Sequence, residues 1–319
     1  MAMNTRALHL TSSNTMGFYI HYFERHRIPW REEAELQGLP TDISSYEKWL
    51  PIENTCLFIQ SMRSKCPRLM SIEVGKDAAK WLLHQDREIV DKDASFQQTM
   101  AAIMTNSAKM SRQLTYWLEM VDGYWCLCSR GNLRPGFPGY AEIEWHRIAG
   151  LIGVCQHWLG RDWLPKRVQM TTARHLGAHY DSEYPGTWFE YDCTFALIEL
   201  PDIGGFQPLA SDNFKSHGLQ EVLLLADTYA HLPSFTIDWL ASLFGTTRKT
   251  LYRFFKQHGI SFTQIKDEAR FKKASYLLQQ TDYAISDIAY RVGYNDTSNF
   301  NRAMKTWSGK SAAQFRKSG

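Results

Sequence analysis

Two short amphipathic stretches near the end of this chain carry side chains suited to one kind of chemistry. Lys249, Tyr252 and Arg253 lie on the polar side of the first, and Thr297, Ser298, Asn299, Asn301 and Arg302 crowd the start of the second. Arg and Lys donate to guanine O6 and N7, Asn pairs with adenine N6 and N7, and Thr or Ser meets a phosphate or a thymine edge. A second, looser group, Arg174, His175, His179 and Tyr180, has the cations and ring donors to orient a carboxylate, so these four are candidate effector contacts.

Other constellations fall short of chemistry. His175 and His179 are four apart, but no Glu lies between them and Gly177 weakens a helix there, which argues against a metalloprotease-type zinc site. Cys126 and Cys128 share one face of an expected strand about 7 Å apart, and packed reduced thiols are the expectation for them. All six cysteines are too scattered for a disulfide framework and form no C-x-x-C knuckle. The pairs Glu32/Glu33 and Glu142/Glu144 read as surface carboxylates. No phosphate-cradling loop, dinucleotide fingerprint or nucleophile elbow is present, so neither catalysis, a metal nor a cofactor is expected.

The elements that would position the first group of residues occur twice. In 236–244, Ile237, Leu240, Ala241 and Phe244 share a face. Gly245 breaks the helix, Thr246 or Thr247 caps the next, and 248–257 turns Leu251, Phe254 and Phe255 inward. In 286–292, Ile288, Ala289 and Val292 share a face; Gly293 breaks it, and from Asp296 a helix over 297–306 turns Phe300, Ala303 and Trp307 inward. Each copy, 236–257 and 286–307, is a helix-turn-helix unit, with Ala241 and Ala289 where the helices cross. Between them Ser261 caps a continuous helix over 262–280, roughly 28–30 Å long. One turn of DNA is roughly 34 Å, so one chain could set two probe helices into successive major grooves of double-stranded DNA.

Charge agrees with that geometry. The 319 residues carry a net +3, but 231–319 hold 14 Lys/Arg against 6 Asp/Glu, leaving 22 against 27 in the rest. A basic module on a mildly acidic body is the electrostatic footprint of phosphate neutralisation.

In these stretches the chain resembles the AraC/XylS family of bacterial transcription regulators. The resemblance is densest in Ser286-Asp287-Ile288-Ala289-Tyr290-Arg291-Val292-Gly293-Tyr294 and Ser298-Asn299-Phe300-Asn301-Arg302-Ala303-Met304-Lys305. It reaches back through Trp239-Leu240-Ala241 and Leu251-Tyr252-Arg253-Phe254-Phe255-Lys256, covering about residues 231–317. The family usually ends in Gly-x-Ser-Pro, whereas this chain has Gly309-Lys310-Ser311-Ala312, which leaves the start of the last helix open. The resemblance implies an activator that contacts RNA polymerase, with a front domain that meets a small effector or forms a homodimer. A repressor, or a regulator without effector whose front domain only dimerises or binds a protein, remains an alternative reading.

The expected fold is α+β: a helical lead over 1–110, then an α+β part over 111–210 with a small sheet and a packed helix, then an all-α double helix-turn-helix domain over 216–319. Helices are expected over 15–26, with Phe18, Tyr19, Tyr22 and Phe23 on one side, over 44–49, and over 54–64 with Leu57, Ile59 and Met62 inward. A hairpin is expected where 113–121 and 124–129 flank Asp122-Gly123. A long amphipathic helix over 140–159 should end at Gly160, with strands over 167–172 and 193–200, a connector over 202–217 and a helix over 219–231. Residues 1–215 as a domain, and about 15–215 in detail, resemble the non-cupin, helical plus α/β effector domain of one branch of that family. Nine of the eleven tryptophans lie there, where they could wall a pocket or fill a core. With no apolar run of membrane-spanning length and no basic leader, a cytoplasmic protein is expected.

Overall fold

A computed structural model of the chain describes residues 8–42, 48–84, 94–201, 205–207, 209–210 and 218–318. The chain divides into two compact units, one spanning His9–Lys215 and the other containing Ser216–Gly319 together with Leu8.

The front unit begins with β1 (Leu10–Ser12) and α1 (Ser13–Arg25), capped by the Ser12 hydroxyl, which accepts from the Asn14 N–H at 3.2 Å. Met16, Tyr19, Tyr22 and Phe23 recur at three- and four-residue spacing and are fully buried. After α2 (Arg31–Leu36), β2 (Trp49–Pro51) pairs antiparallel with β1, setting Leu10 opposite Pro51 and Ser12 opposite Trp49. Trp49 is therefore in a strand rather than the expected helix; Trp49, Leu50 and Pro51 are all buried, which a one-sided helical stripe would not allow. Of that expected helix, 44–47 lie outside the described residues.

Next come α3 (Ile52–Arg63), α4 (Met70–His84) and α5 (Phe96–Met110). In α3, Ile59 and Met62 are buried as expected, but Leu57 is 37% exposed. Its buried stripe is Ile52, Thr55, Cys56, Phe58, Ile59 and Met62, and Leu57 sits about 200° around the helix from Ile59.

The hairpin forms from β3 (Leu114–Val121) and β4 (Tyr124–Gly131), joined by Asp122 (φ 53°) and Gly123 (φ 84°). Two positive φ values are what a two-residue turn needs to match strand twist. Then follow α6 (Tyr140–Leu159), β5 (Arg167–Gln169), the single turn α7 (Arg174–Gly177) and a 3-10 turn over Ala178–Glu183. The sheet is completed by β6 (Trp188–Glu190), β7 (Ala196–Glu199) and β8 (Leu209–Ala210), in the order β6-β5-β7-β4-β3-β8. Among the described residues, only the β5–β6 pair of this sheet is parallel. β8 falls inside the stretch expected to be a connector; there, 202–204, 208 and 211–217 lie outside the described residues.

Helix α6 shares one core with the sheet, in which Trp145, Ile148, Ile152 and Cys155 meet Leu118, Leu127, Val168 and Ile198. Cys126 and Cys128 face the other side with Leu197 and Trp117. Glu142 and Glu144 are not surface carboxylates, being 5% and 0% exposed. Their helix is buried on nearly all sides, so a charge pattern read as a solvated face lies instead inside the unit.

The second unit is all helical: α8 (Leu219–Tyr229), α9 (Ile237–Leu243), α10 (Arg248–Gln257), α11 (Phe262–Gln280), α12 (Ile285–Arg291), α13 (Thr297–Ser308) and α14 (Ala312–Lys317). The whole is thus an α+β front followed by an all-α helix-turn-helix region. Among the described residues, no helix is long and apolar enough to cross a membrane.

Gly139 starts α6 at φ 79°, where a Cβ would stand 2.0 Å from the Cys56 carbonyl oxygen. Gly139→Ala should therefore destabilise the front unit by about 2 kcal/mol or more, while Gly136→Ala, with nothing within 4 Å, should not. Thermal unfolding of both variants checks this, and equal midpoints would refute it.

Candidate nucleic-acid interface

The first probe helix is α10. Thr236 caps α9 by accepting from the Trp239 N–H at 3.1 Å, and Thr247 caps α10 by accepting from Thr250 N–H at 3.3 Å. Leu251, Phe254 and Phe255 bury the inner face, which leaves Lys249, Tyr252 and Arg253 exposed on the other. Arg248, beside them, is already committed. Its Nε donates to Asp238 Oδ1 at 2.8 Å and its Nη2 to Asp238 Oδ2, a forked pair that ties α10 to α9. The same hydrogen bonds hold the Asp238 carboxyl below its usual range.

The second probe helix is α13. Asp296 caps it, Oδ1 accepting from the Asn299 N–H at 2.7 Å, and Phe300 and Met304 are fully buried beneath. Met304 rather than Ala303 makes the deepest contact, and Trp307 packs between Phe271, tilted against it, and Tyr294, edge-on to it. Ser298, Asn299 and Arg302 are exposed and Thr297 is half-buried. Asn299 donates to Asp296 and accepts from Arg302, so these three form a hydrogen-bonded row along the outer face.

Asn301 does not belong to that face. Its Oδ1 accepts the Ala312 N–H at 3.0 Å, and the side chain is half-buried against α14. Ser311 caps the same helix in a capping box with Gln314. A proline at 312 would have no N–H to offer, so the departure from the family ending supplies the donor that draws Asn301 inward.

Both helix-turn-helix copies rest on α11, which begins with a Ser261/Gln264 capping box and runs 19 residues. It packs on α8, α12 and α14. Lys266 Nζ donates to Phe235 O at 3.0 Å, and Arg270 Nε donates to Ala230 O at 2.8 Å, just before the first helix-turn-helix. The same guanidinium lies 5.1 Å from the ring centroid of Tyr294, in the turn of the second. Gly293 (φ 91°) lets that turn close on the segment leading into the first helix-turn-helix, since a Cβ would meet His231 O at 2.3 Å. Arg270 and the His231 carbonyl carry no mark in the sequence, because their roles depend on backbone atoms distant along the chain.

In the front unit the four candidate effector contacts do not converge. His175 and His179 line an open cleft of about 660 Å³ with Arg63, Arg68 and Glu142. Tyr180 is fully buried and donates to Glu142 Oε2 at 2.6 Å, while Arg174 lies over the Tyr191 ring at 5.6 Å, away from the cleft. The short α7 and the turn after it send neighbouring side chains to different sides. Glu142 also accepts from Arg63 Nε at 2.9 Å and from Ser71, so the carboxylate there already has its donors. Burial pushes the His179 imidazole below its usual range. Among the described residues no three His, Cys, Asp or Glu side chains are placed to hold a metal.

Residues 240–318 match the family described as a helix-turn-helix domain, which fits the arrangement of α9 to α14. Over 86 residues, 25% of this chain and 31% of the relative, the sequence is 34% identical to the HTH-type transcriptional activator RhaS of Enterobacter sp. (strain 638). Over 166 residues, 50% of this chain and 58% of the relative, it is 29% identical to RhaS of Escherichia coli O139:H28 (strain E24377A / ETEC). The transcriptional regulator CdpR from Pseudomonas aeruginosa covers 95% of this chain and 97% of its own at 16% identity and a TM-score of 0.34. The chain thus spans about a third of the length of the first relative.

Asn301→Ala should weaken the domain by about 0.5–2 kcal/mol, the worth of a lost cap, and speed hydrogen exchange of the α14 amides. Arg302→Ala should leave those amides as they are. Asp296 is a group with a depressed pKa, held down by the Asn299 amide. Its contribution is present above the ordinary aspartate value of about 3.9 and is lost as pH falls through the lower folded value. Acid should therefore loosen the first turn of α13, and Asp296→Asn should flatten that response in exchange measurements.

Proposed function

We propose that this protein is a sequence-specific DNA-binding transcription regulator of the AraC/XylS type, an activator that works beside RNA polymerase at a promoter. The observation that carries this reading is the pair of capped probe helices, α10 and α13, each with an exposed polar face and both seated on one braced helix. Lys249, Tyr252 and Arg253 from the first helix, and Thr297, Ser298, Asn299 and Arg302 from the second, are the proposed DNA contacts. Arg302 is the best placed to read guanine, and Asn299 holds its guanidinium in position. Asn301 is left out of that set because its amide oxygen is engaged. The basic balance of 231–319 supplies attraction to phosphates in two successive major grooves.

The front unit is proposed to sense a small molecule, to form a homodimer, or both, and α8 to carry its influence to the probe helices. An effector acts only through a difference in affinity between two arrangements, typically about 1–3 kcal/mol. The proposed place of action is the cytoplasm.

Genomic sites captured by crosslinking provide the cognate DNA for the test. Arg302→Ala should cost about 1–3 kcal/mol there and much less on random DNA; equal losses on both would show that the side chain touches only the backbone. Affinity should also fall steeply between low and moderate salt, each neutralised phosphate adding about 0.9 to the logarithmic slope. A flat salt response would overturn the proposal.

A further inference from the structure

Helices α4 and α6 meet through their smallest residues. A Cβ on Gly75 would stand 2.4 Å from the His146 carbonyl oxygen, and one on Gly153 would stand 2.9 Å from the Ala79 methyl. Beside this contact, where the same small side chains leave space, is a cavity of about 100 Å³. Its walls are largely apolar, among them Ala79, Leu82, Ile103, Leu114, Leu151 and Val154.

Three polar side chains on the wall do not fit an empty apolar cavity. Ser111 Oγ, His146 Nδ1 and Arg147 Nε are buried without a hydrogen-bond partner, in residues 5%, 9% and 8% exposed. A buried unpaired donor on a charged group is costly. The neighbouring carboxylate does not remove that cost. Glu144 accepts from Thr171 N–H at 3.0 Å, Thr171 Oγ1 at 2.6 Å and Thr172 N–H at 2.8 Å, and takes a single bond from Arg147, from Nη2 at 3.2 Å. A guanidinium has five N–H donors, so Arg147 retains donors beyond that bond. Burial and the adjacent guanidinium push the His146 imidazole down to about 4, so it is neutral at physiological pH and adds no second charge.

We propose that this cavity binds a small monocarboxylate with a short aliphatic tail, its carboxylate paired with Arg147 and its tail against Leu82, Ile103 and Leu151. A carboxylate offers the two acceptors a guanidinium can fork onto, and the Ser111 hydroxyl and the neutral His146 ring can each donate to one. Volume limits the tail. An apolar cavity of about 150 Å³ accepts benzene, and this one is smaller at about 100 Å³, so the fit is to acids of short or branched chain, and hexanoate and benzoate should be too large. The site rests on the sensor reading of the front unit only for its consequence on DNA, and its occupancy can be read with no DNA present.

The test is isothermal titration of the full chain with acetate, butyrate, 3-methylbutanoate, hexanoate and benzoate, each beside its uncharged amide. At least one of the first three acids should bind one-to-one and its amide about tenfold or more weakly, a difference of about 1.4 kcal/mol. Arg147→Gln should remove the acid-over-amide preference. Should that variant fail to fold, Ile103→Phe keeps the Arg147–Glu144 pair and fills the cavity, and it should abolish binding. No heat from any acid at millimolar concentration, or acid binding that persists unchanged in Ile103→Phe, overturns the proposal. Loss of DNA binding with acid binding intact would count against the transcription reading alone.

Discussion

The arrangement of the carboxy-terminal unit depends on one guanidinium. Arg270 projects from the middle of α11, donates to the Ala230 carbonyl ahead of the first helix-turn-helix and covers the Tyr294 ring in the turn of the second. A charged hydrogen bond of this kind contributes roughly 1.5–3 kcal/mol and a partly desolvated cation over an aromatic ring about 0.5–2. The larger consequence is geometric. Gly293 is close enough to Arg270 and His231 that no side chain fits between them, so the second helix-turn-helix is fixed to the segment ahead of the first by close packing as well as by the shared helix. Proposed contacts with DNA require that fixity, since two probe helices that wandered independently would lose orientational entropy on binding.

Around that frame, neighbouring side chains have opposite employment. Arg248 and Lys249 are adjacent, yet the first is bound to Asp238 and the second is exposed. Asn301 and Arg302 differ in the same way, one capping α14 and the other lying along the outer face of α13. A helix rotates about 100° per residue, so one step in sequence separates a side chain that ties two helices together from one that lies along the outer face. Composition alone would count all four as DNA contacts.

This difference marks how far sequence could reach. The Asp122-Gly123 hairpin was readable from a turn requiring positive φ, helix 262–280 from its Ser261 cap and unbroken run, and helix 140–159 from its long apolar period. Both helix-turn-helix copies were readable for the same reason, together with their Thr247 and Asp296 caps. Strands β1, β2, β6 and β8 have two or three residues each, too few for an alternation to register, and their partners are distant in the chain. Glu144 reads as a surface charge until Thr171 and Thr172 are brought to it across 27 and 28 positions. The candidate contacts 174, 175, 179 and 180 are alike in type and near one another in sequence, but a single helical turn followed by a 3-10 turn spreads them over different surroundings. What the sequence could not convey was pairing through backbone carbonyls and through loops.

The bond between Asn301 and Ala312 links two positions eleven residues apart. Proline is well accepted in the first turn of a helix because its missing N–H is needed least there. With proline at 312 the Asn301 oxygen would have nothing to accept, and its amide could turn outward. Residue 312 therefore decides whether 301 is an internal fastening or a spare polar group at the surface, and related chains should vary at the two sites together rather than one at a time.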